Sequence, residues 1–256
     1  MVLVSTVLFG VAGWAYLVHQ QSVIERPPYR VPISRLELDS VSAAVRIEPG
    51  PPGQVSIRQS LGWTWRRPVV AMIWEGDVLK VSVRCHRLFG LDDLGCDAEL
   101  DIRLPAETEV TGSSTSGITQ LRDLTGPISL KTGTGFIDLA RVSGPIAVQA
   151  KSGRIQGSEL FSARVEASTS SGPIELGFAH APDAVTAIAS SGPLTLSMPP
   201  GTRYKINGHS SSGSRSIDPT LADTSSPHVL DVVTSSGSVT INPRGGGVVL
   251  DHGPTR

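Results

Sequence analysis

From Arg35 onward the chain alternates apolar and polar residues with a period of two, in short runs broken by Gly or Pro. The runs "RLELD", "AAVRIEP", "QVSIRQS", "VVAMIWE", "VLKVSVR" and "AELDIRL" lie between residues 35 and 104. Alternation of this kind, bounded by turn formers, predicts strands with one buried face. Nothing in the stretch keeps a helical period for three turns. Residues 34–108 are therefore expected to form an N-terminal β region continuous with the strands beyond residue 108. Trp63 and Trp65, in "LGWTWRRP", are expected to pack in its core.

Past that region the alternation becomes a repeat. Ser/Thr-Gly clusters place glycines at Gly117, Gly135, Gly153, Gly172, Gly192, Gly213 and Gly237, with spacings of 18, 18, 19, 20, 21 and 24 residues. Two residues after each glycine stand Thr119, Ile137, Ile155, Ile174, Leu194, Arg215 and Val239. Four residues after stand Leu121, Leu139, Gly157, Leu176, Leu196, Ile217 and Ile241. Between these columns lie Gln120, Asp138, Gln156, Glu175, Thr195, Ser216 and Thr240. That is one inward-facing strand per unit, polar on its outer side. A second strand per unit reads in "PISL", "PIAV", "ARVEA", "AVTAIA", "RYKI" and "LDVV".

One such unit cannot bury its apolar side alone, but stacked units can. The expected fold is all-β: a single-stranded β-solenoid, a β-helix-like stack of coils over residues 109–243. Seven coils at the strand spacing would extend about 34 Å. Corner glycines are expected to permit tight turns, often with positive φ. Ser116, Thr134, Ser152, Ser171, Ser191, Ser212 and Ser236, each just before its glycine, are expected to form a hydroxyl ladder serving turn backbone groups. The sixth coil is irregular, with Arg215 at an inward position and a longer loop around 214–228 that could cap the stack. Residues 244–256 read as a flexible Gly-rich tail.

Composition agrees with this class: Gly 27 and Pro 19 of 256 residues, with aromatics at 5%, suit a turn-rich β protein. A formal net charge of −1 and the lack of a basic stripe exclude nucleic acid as a natural partner.

The N-terminus differs. "VLVSTVLFGVAGWAYLV" (Val2–Val18) is uncharged and almost wholly apolar, with Trp14 and Tyr16 near its end. A transmembrane anchor over residues 1–18 is expected, with the membrane as partner. The alternative, a cleaved signal peptide, lacks a basic n-region. Arg26 and Arg30 follow the span, which by charge alone favours a cytoplasmic C-terminal side. Long domains translocate largely regardless of charge, so an extracytoplasmic domain is expected on a single-pass anchor in the cell membrane. Residues 19–33, with three prolines, read as an extended linker.

The chain has two cysteines, Cys85 and Cys96, with ten residues between them. In an exported domain they read as one disulfide. Two free thiols, or a metal site using Cys85, His86, Cys96 and Asp97, are the alternatives, the last with poor ligand geometry. No phosphate-binding glycine loop, HExxH helix or GxSxG elbow occurs, and the six histidines have no metal-ligand spacing. Asp138 and Glu175 share an outward column two coils apart, about 9.6 Å by strand spacing, with Gln156 between. This is at the far limit for a glycosidase pair. No catalytic residue, cofactor or metal is assigned, and no enzyme is expected.

The order "ISRLELDSVSAAVRIEPG", then "DAELDIRLPAETEV", then tandem SGxI coils resembles a bacterial putative-adhesin family of unknown function with tandem β-strand repeats, over about residues 34–243. The resemblance implies a β-solenoid of the cell envelope, often behind a membrane anchor and in some members tied to envelope-stress signalling. It supplies no catalytic residues. The function expected is thus a non-catalytic adhesion or interaction module with a protein or glycan partner. A polysaccharide-active enzyme on the same scaffold and a self-assembling structural protein are the rivals.

Overall fold

The computed structural model describes residues 20–64, 66–85 and 96–245. Nineteen strands lie among them, joined in one continuous network of pairings. The N-terminal region holds β1 (Gln20–Glu25), β2 (Arg35–Pro49), β3 (Ser56–Trp63), β4 (Val69–Glu75), β5 (Val78–Arg84) and β6 (Cys96–Leu104). The coils comprise β7 (Glu109–Arg122), β8 (Ile128–Thr132), β9 (Phe136–Ala140), β10 (Ile146–Ala150), β11 (Ile155–Leu160), β12 (Arg164–Thr169), β13 (Ile174–Phe178), β14 (Ala184–Ala189) and β15 (Leu194–Met198). The stack is completed by β16 (Lys205–Asn207), β17 (Arg215–Ile217), β18 (Val229–Thr234) and β19 (Val239–Pro243), with one 3-10 turn at Pro219–Leu221.

The protein is all-β and its repeats stack as parallel coils. The long strands β2 and β7 each bend through a whole coil and pair with one another in parallel along their length. Their first halves begin face A, which continues through β8, β10, β12 and β14. Their second halves begin face B, which continues through β9, β11, β13 and β15. Between the faces runs one hydrophobic core. Ile137, Ile155, Ile174, Leu194 and Val239 form one buried row, and Leu139, Leu176, Leu196 and Ile241 another. Each fully buried aliphatic side chain contributes roughly 1.5–3 kcal/mol. Gly157 interrupts the second row. Leu160 fills the space, since a Cβ on Gly157 would lie 2.7 Å from its Cδ1, and β11 shifts register between these residues.

The structure corrects or refines the sequence reading at four points. First, residues 19–33 are not simply a linker, because β1 pairs antiparallel with β3 from Gln20↔Trp63 to Glu25↔Arg58, which places Ile24 against the core. Second, the N-terminal β region joins the coils in one network of pairings but is arranged differently from them. Beyond β2 the sheets continue as antiparallel neighbours, β5 and β4 on face A and β6, β3 and β1 on face B, although β5 and β6 themselves run parallel to β2. Trp63 packs against the core; Trp65 lies outside the described residues.

Third, the coils do not stack in sequence order. The β18–β19 coil pairs with β14 and β15, from Ala184↔Val229 and Leu194↔Val239, and the β16–β17 coil pairs onto its far side. The chain thus skips one level after Met198 and returns to fill it. Residue quality explains the choice. Leu230, Val232, Val239 and Ile241 are buried, as a coil between two neighbours requires. Arg215 is exposed and Ile206 and Ile217 only half-buried, which suits the outermost coil. The 3-10 turn closes that end by bringing Leu221 against the fully buried Tyr204, whose backbone N–H donates to the Leu221 carbonyl over 2.7 Å.

Fourth, the corners are held differently. Of the seven repeat glycines, only Gly117 has a positive φ, at 95°. What requires glycine is the close approach of coils: a Cβ on Gly153, Gly172 or Gly192 would stand 1.8 Å from the carbonyl oxygen of the glycine one coil below. On Gly237 and Gly213 it would stand 1.9 Å from Gly192 O and Gly237 O, following the stack rather than the sequence. The hydroxyls that serve the turns sit mainly three residues before the glycine. Buried Thr132, Thr169 and Thr234 accept from the N–H of Gly135, Gly172 and Gly237 at 2.9–3.0 Å. Of the predicted ladder, Ser152, Ser171, Ser191, Ser212 and Ser236 are exposed, while Thr134 donates to the Thr115 carbonyl over 3.4 Å.

The apolar stretch Val2–Val18 and the tail from residue 246 lie outside the described residues. Among the described residues no helix is long and apolar enough to cross a membrane.

Candidate functional site

The polar column read between the two apolar ones is a straight row across face B. Register carries it from Glu25 to Arg58, Asp101, Arg46, Gln120 and Asp138. It continues through Gln156, Glu175, Thr195, Thr240 and Ser216. Every strand of the face contributes one residue to the row, because alternation points every second residue of a strand away from the core. Asp138 and Glu175 stand on β9 and β13 with Gln156 of β11 between them, and Asp138 accepts from Gln120 Nε2 over 3.3 Å. That arrangement is a hydrogen-bonded surface row rather than a facing carboxylate pair.

At the N-terminal end this row enters a groove of about 510 Å³. Five guanidiniums line it: Arg26, Arg46, Arg58, Arg103 and Arg122. Three carboxylates, Glu25, Glu48 and Asp101, line it as well. Arg46 is committed internally, 3.2 Å from Asp101 and 3.3 Å from the Gln120 amide oxygen. Arg26 reaches Tyr29 Oη at 3.4 Å. Arg58 and Arg103 are exposed and make no hydrogen bond or ion pair to the described residues. Arg122 Nε is shut from solvent without an acceptor, while its terminal nitrogen lies 3.9 Å from Asp138. A buried donor left open is a mark of a group awaiting water or a ligand.

A second charged feature climbs the corner after face B. Asp123, Arg141 and Glu159 take left-handed φ values of 56°, 53° and 52° at an 18-residue interval. Arg141 holds Asp123 through two bonds of 2.6 and 2.7 Å, which keep that carboxyl below its ordinary range. Glu159 accepts from Arg244 over 3.1 Å, tying the last described turn to the stack.

Of the remaining candidates, Cys85 follows β5 and Cys96 opens β6. Val83 pairs with Ser40 and Glu99 with Ala44, so both cysteines fall beside the bend of β2. His86 lies outside the described residues, and among those described no group of three or more His, Cys, Asp or Glu gathers to hold a metal. The groove was missed in sequence because its arginines come from distant strands. Four of the five do sit at an outward position of a run, in "VRIE", "SIRQ", "DIRL" and "QLR", but only strand order brings these runs together.

Fold and site together define an all-β stack of parallel coils with polar outer faces, continued at its N-terminal end by strands that pair antiparallel beyond β5 and β6. The chain belongs to the Toastrack DUF4097 family, whose profile matches residues 106–242. Among solved structures, a putative adhesin from Bacteroides fragilis NCTC 9343 superposes with a TM-score of 0.51 at 14% identity, over 87% of this chain and 97% of that one. A putative adhesin from Parabacteroides merdae ATCC 43184 gives 0.47 at 14% identity, over 88% and 95%. A putative cell adhesion protein from Clostridium sporogenes ATCC 15579 gives 0.41 at 12%, over 88% and 100%. At such identities the first likeness is one of fold, and the other two carry no argument here. No curated protein matches the chain.

Proposed function

We propose that this protein is a non-catalytic adhesion or interaction module of the bacterial cell envelope, held by its N-terminal apolar segment and displaying the solenoid outside the cytoplasm. The observation that carries the reading is the outer row of face B, eleven polar positions on eleven strands held rigid by one core. A long row of outward side chains is suited to contacting an extended partner. The closed C-terminal end opposes the self-assembly reading, since its edge strands β16 and β17 have three residues each. An extracytoplasmic setting also favours a Cys85–Cys96 disulfide beside the β2 bend. Thiol titration of the unfolded, unreduced protein should find no thiol; two thiols would count against both the bridge and the export.

Crosslinking in intact cells tests the function. Discrete envelope adducts, protein or glycan, support the module, and a membrane signalling protein among them would add an envelope-stress role. Cleavage of a polysaccharide by the purified protein would overturn the non-catalytic reading.

A further inference from the structure

We propose that the groove at the N-terminal end of face B binds the acidic groups of an anionic glycan, with Arg58 and Arg103 as the contacting residues. The inference builds on the outer face being the binding surface and does not need the chain to be anchored. Guanidinium groups bind carboxylates and phosphates in forked, charge-assisted pairs. Here two of them lie exposed in one groove with no hydrogen bond or ion pair to the described residues, although register sets Arg58 between Glu25 and Asp101 and Arg103 opposite Glu48, beside the orphaned Arg122 Nε. Asp101, one of the groove's three carboxylates, is already paired with Arg46. The groove carries five cations against three anions in a chain whose net charge is −1, so it is a local positive field on a slightly acidic molecule.

Shape and surroundings narrow the ligand. The groove lies across β1, β3, β6, β2 and β7, so it offers an extended trough rather than an enclosed cavity. Among the described residues no aromatic side chain lines it, which leaves it without the stacking platform that single-stranded nucleic acid uses. Farther along the row, Asp138 and Glu175 repel an anionic chain and confine it to the N-terminal third. A trough that crosses five strands accommodates several acidic groups of one chain, which favours a glycan over a single lipid headgroup.

The test is calorimetric titration of the full chain in non-ionic detergent with an oligogalacturonate hexamer, maltohexaose of equal length, and vesicles rich in anionic lipid. The hexamer should bind, more weakly as salt rises, and maltohexaose should not. The variant Arg58→Ala/Arg103→Ala should bind the hexamer at least about tenfold more weakly, with an unchanged melting temperature because both side chains are exposed. Unchanged affinity in that variant, equal binding of maltohexaose, no binding of the hexamer, or binding of the vesicles in its place would each overturn the proposal. Lost cellular crosslinks with retained hexamer binding would count against the envelope-module reading alone.

Discussion

Between Gly117 and Met198 the chain climbs its stack one coil at a time; between Lys205 and Pro243 it places a later coil beneath an earlier one. Both regions share the same alternation, the same corner glycines and the same parallel register. They differ in how apolar each coil is. In the regular region every coil can be covered on both sides, so sequence order costs least loop. In the C-terminal region a single coil carries Arg215 and two short strands, and only the outermost level leaves it a solvated side. The lesson is that alternation assigns a residue to a face, whereas burial demand assigns a coil to a level.

The largest expected effect breaks this comparison directly. Val239→Arg would bury a charge between two coils and should cost more than about 4 kcal/mol, or unfold the C-terminal coils outright. Arg215→Val should leave the urea midpoint almost unchanged. Were the coils stacked in sequence order, Arg215 would be the buried one and its replacement strongly stabilising.

Next come the corners. Gly172→Ala drives a Cβ against Gly153 O and should cost roughly 3–5 kcal/mol by urea unfolding. Gly201→Ala should cost about 1–2 kcal/mol, because Gly201 has φ +88° but nothing within 4 Å of the added Cβ. Equal costs would show that backbone conformation rather than close approach selects the column. Smaller again is Thr234→Ala, which strands the buried Gly237 N–H and should cost about 1–2 kcal/mol. Ser236→Ala, exposed two residues on, should be silent in the same assay.

The gentlest probe is alkaline pH. Burial pushes the Tyr204 hydroxyl up to about 12, above the ordinary value of about 10 that it regains on unfolding. The folded state therefore keeps a proton that the unfolded state gives up. That contribution is complete below about pH 10 and is lost as pH rises toward 12. Hydrogen exchange should then show the closing turn around Leu221 opening before the middle coils. Tyr204→Phe should flatten the pH dependence over that range, and an unaltered profile would place the alkaline sensitivity elsewhere.

The inward rows, the outward column of Gln120, Asp138, Gln156, Glu175, Thr195, Ser216 and Thr240 and the corner glycines were legible as columns, because side-chain direction in a strand follows from period two alone. The Thr169 and Thr234 caps were less so: the eye takes the Ser next to glycine, but backbone geometry brings the residue three earlier to its N–H. β1 hid behind prolines that follow it, and its pairing with β3 rests on contacts between residues 20–25 and 58–63. The arginine groove needed strand order, since Arg46, Arg58, Arg103 and Arg122 are neighbours only across the sheet.

By itself the sequence determined an all-β stack, which residues face inward, and where the chain must turn, since those are local consequences of alternation and of glycine. Tertiary structure decided which coil lies beside which, why glycine is required at each corner, and which outward charges gather into one groove. Those are contacts between residues far apart in the chain, and they are settled by which packing covers the most apolar surface while leaving Arg215 in water.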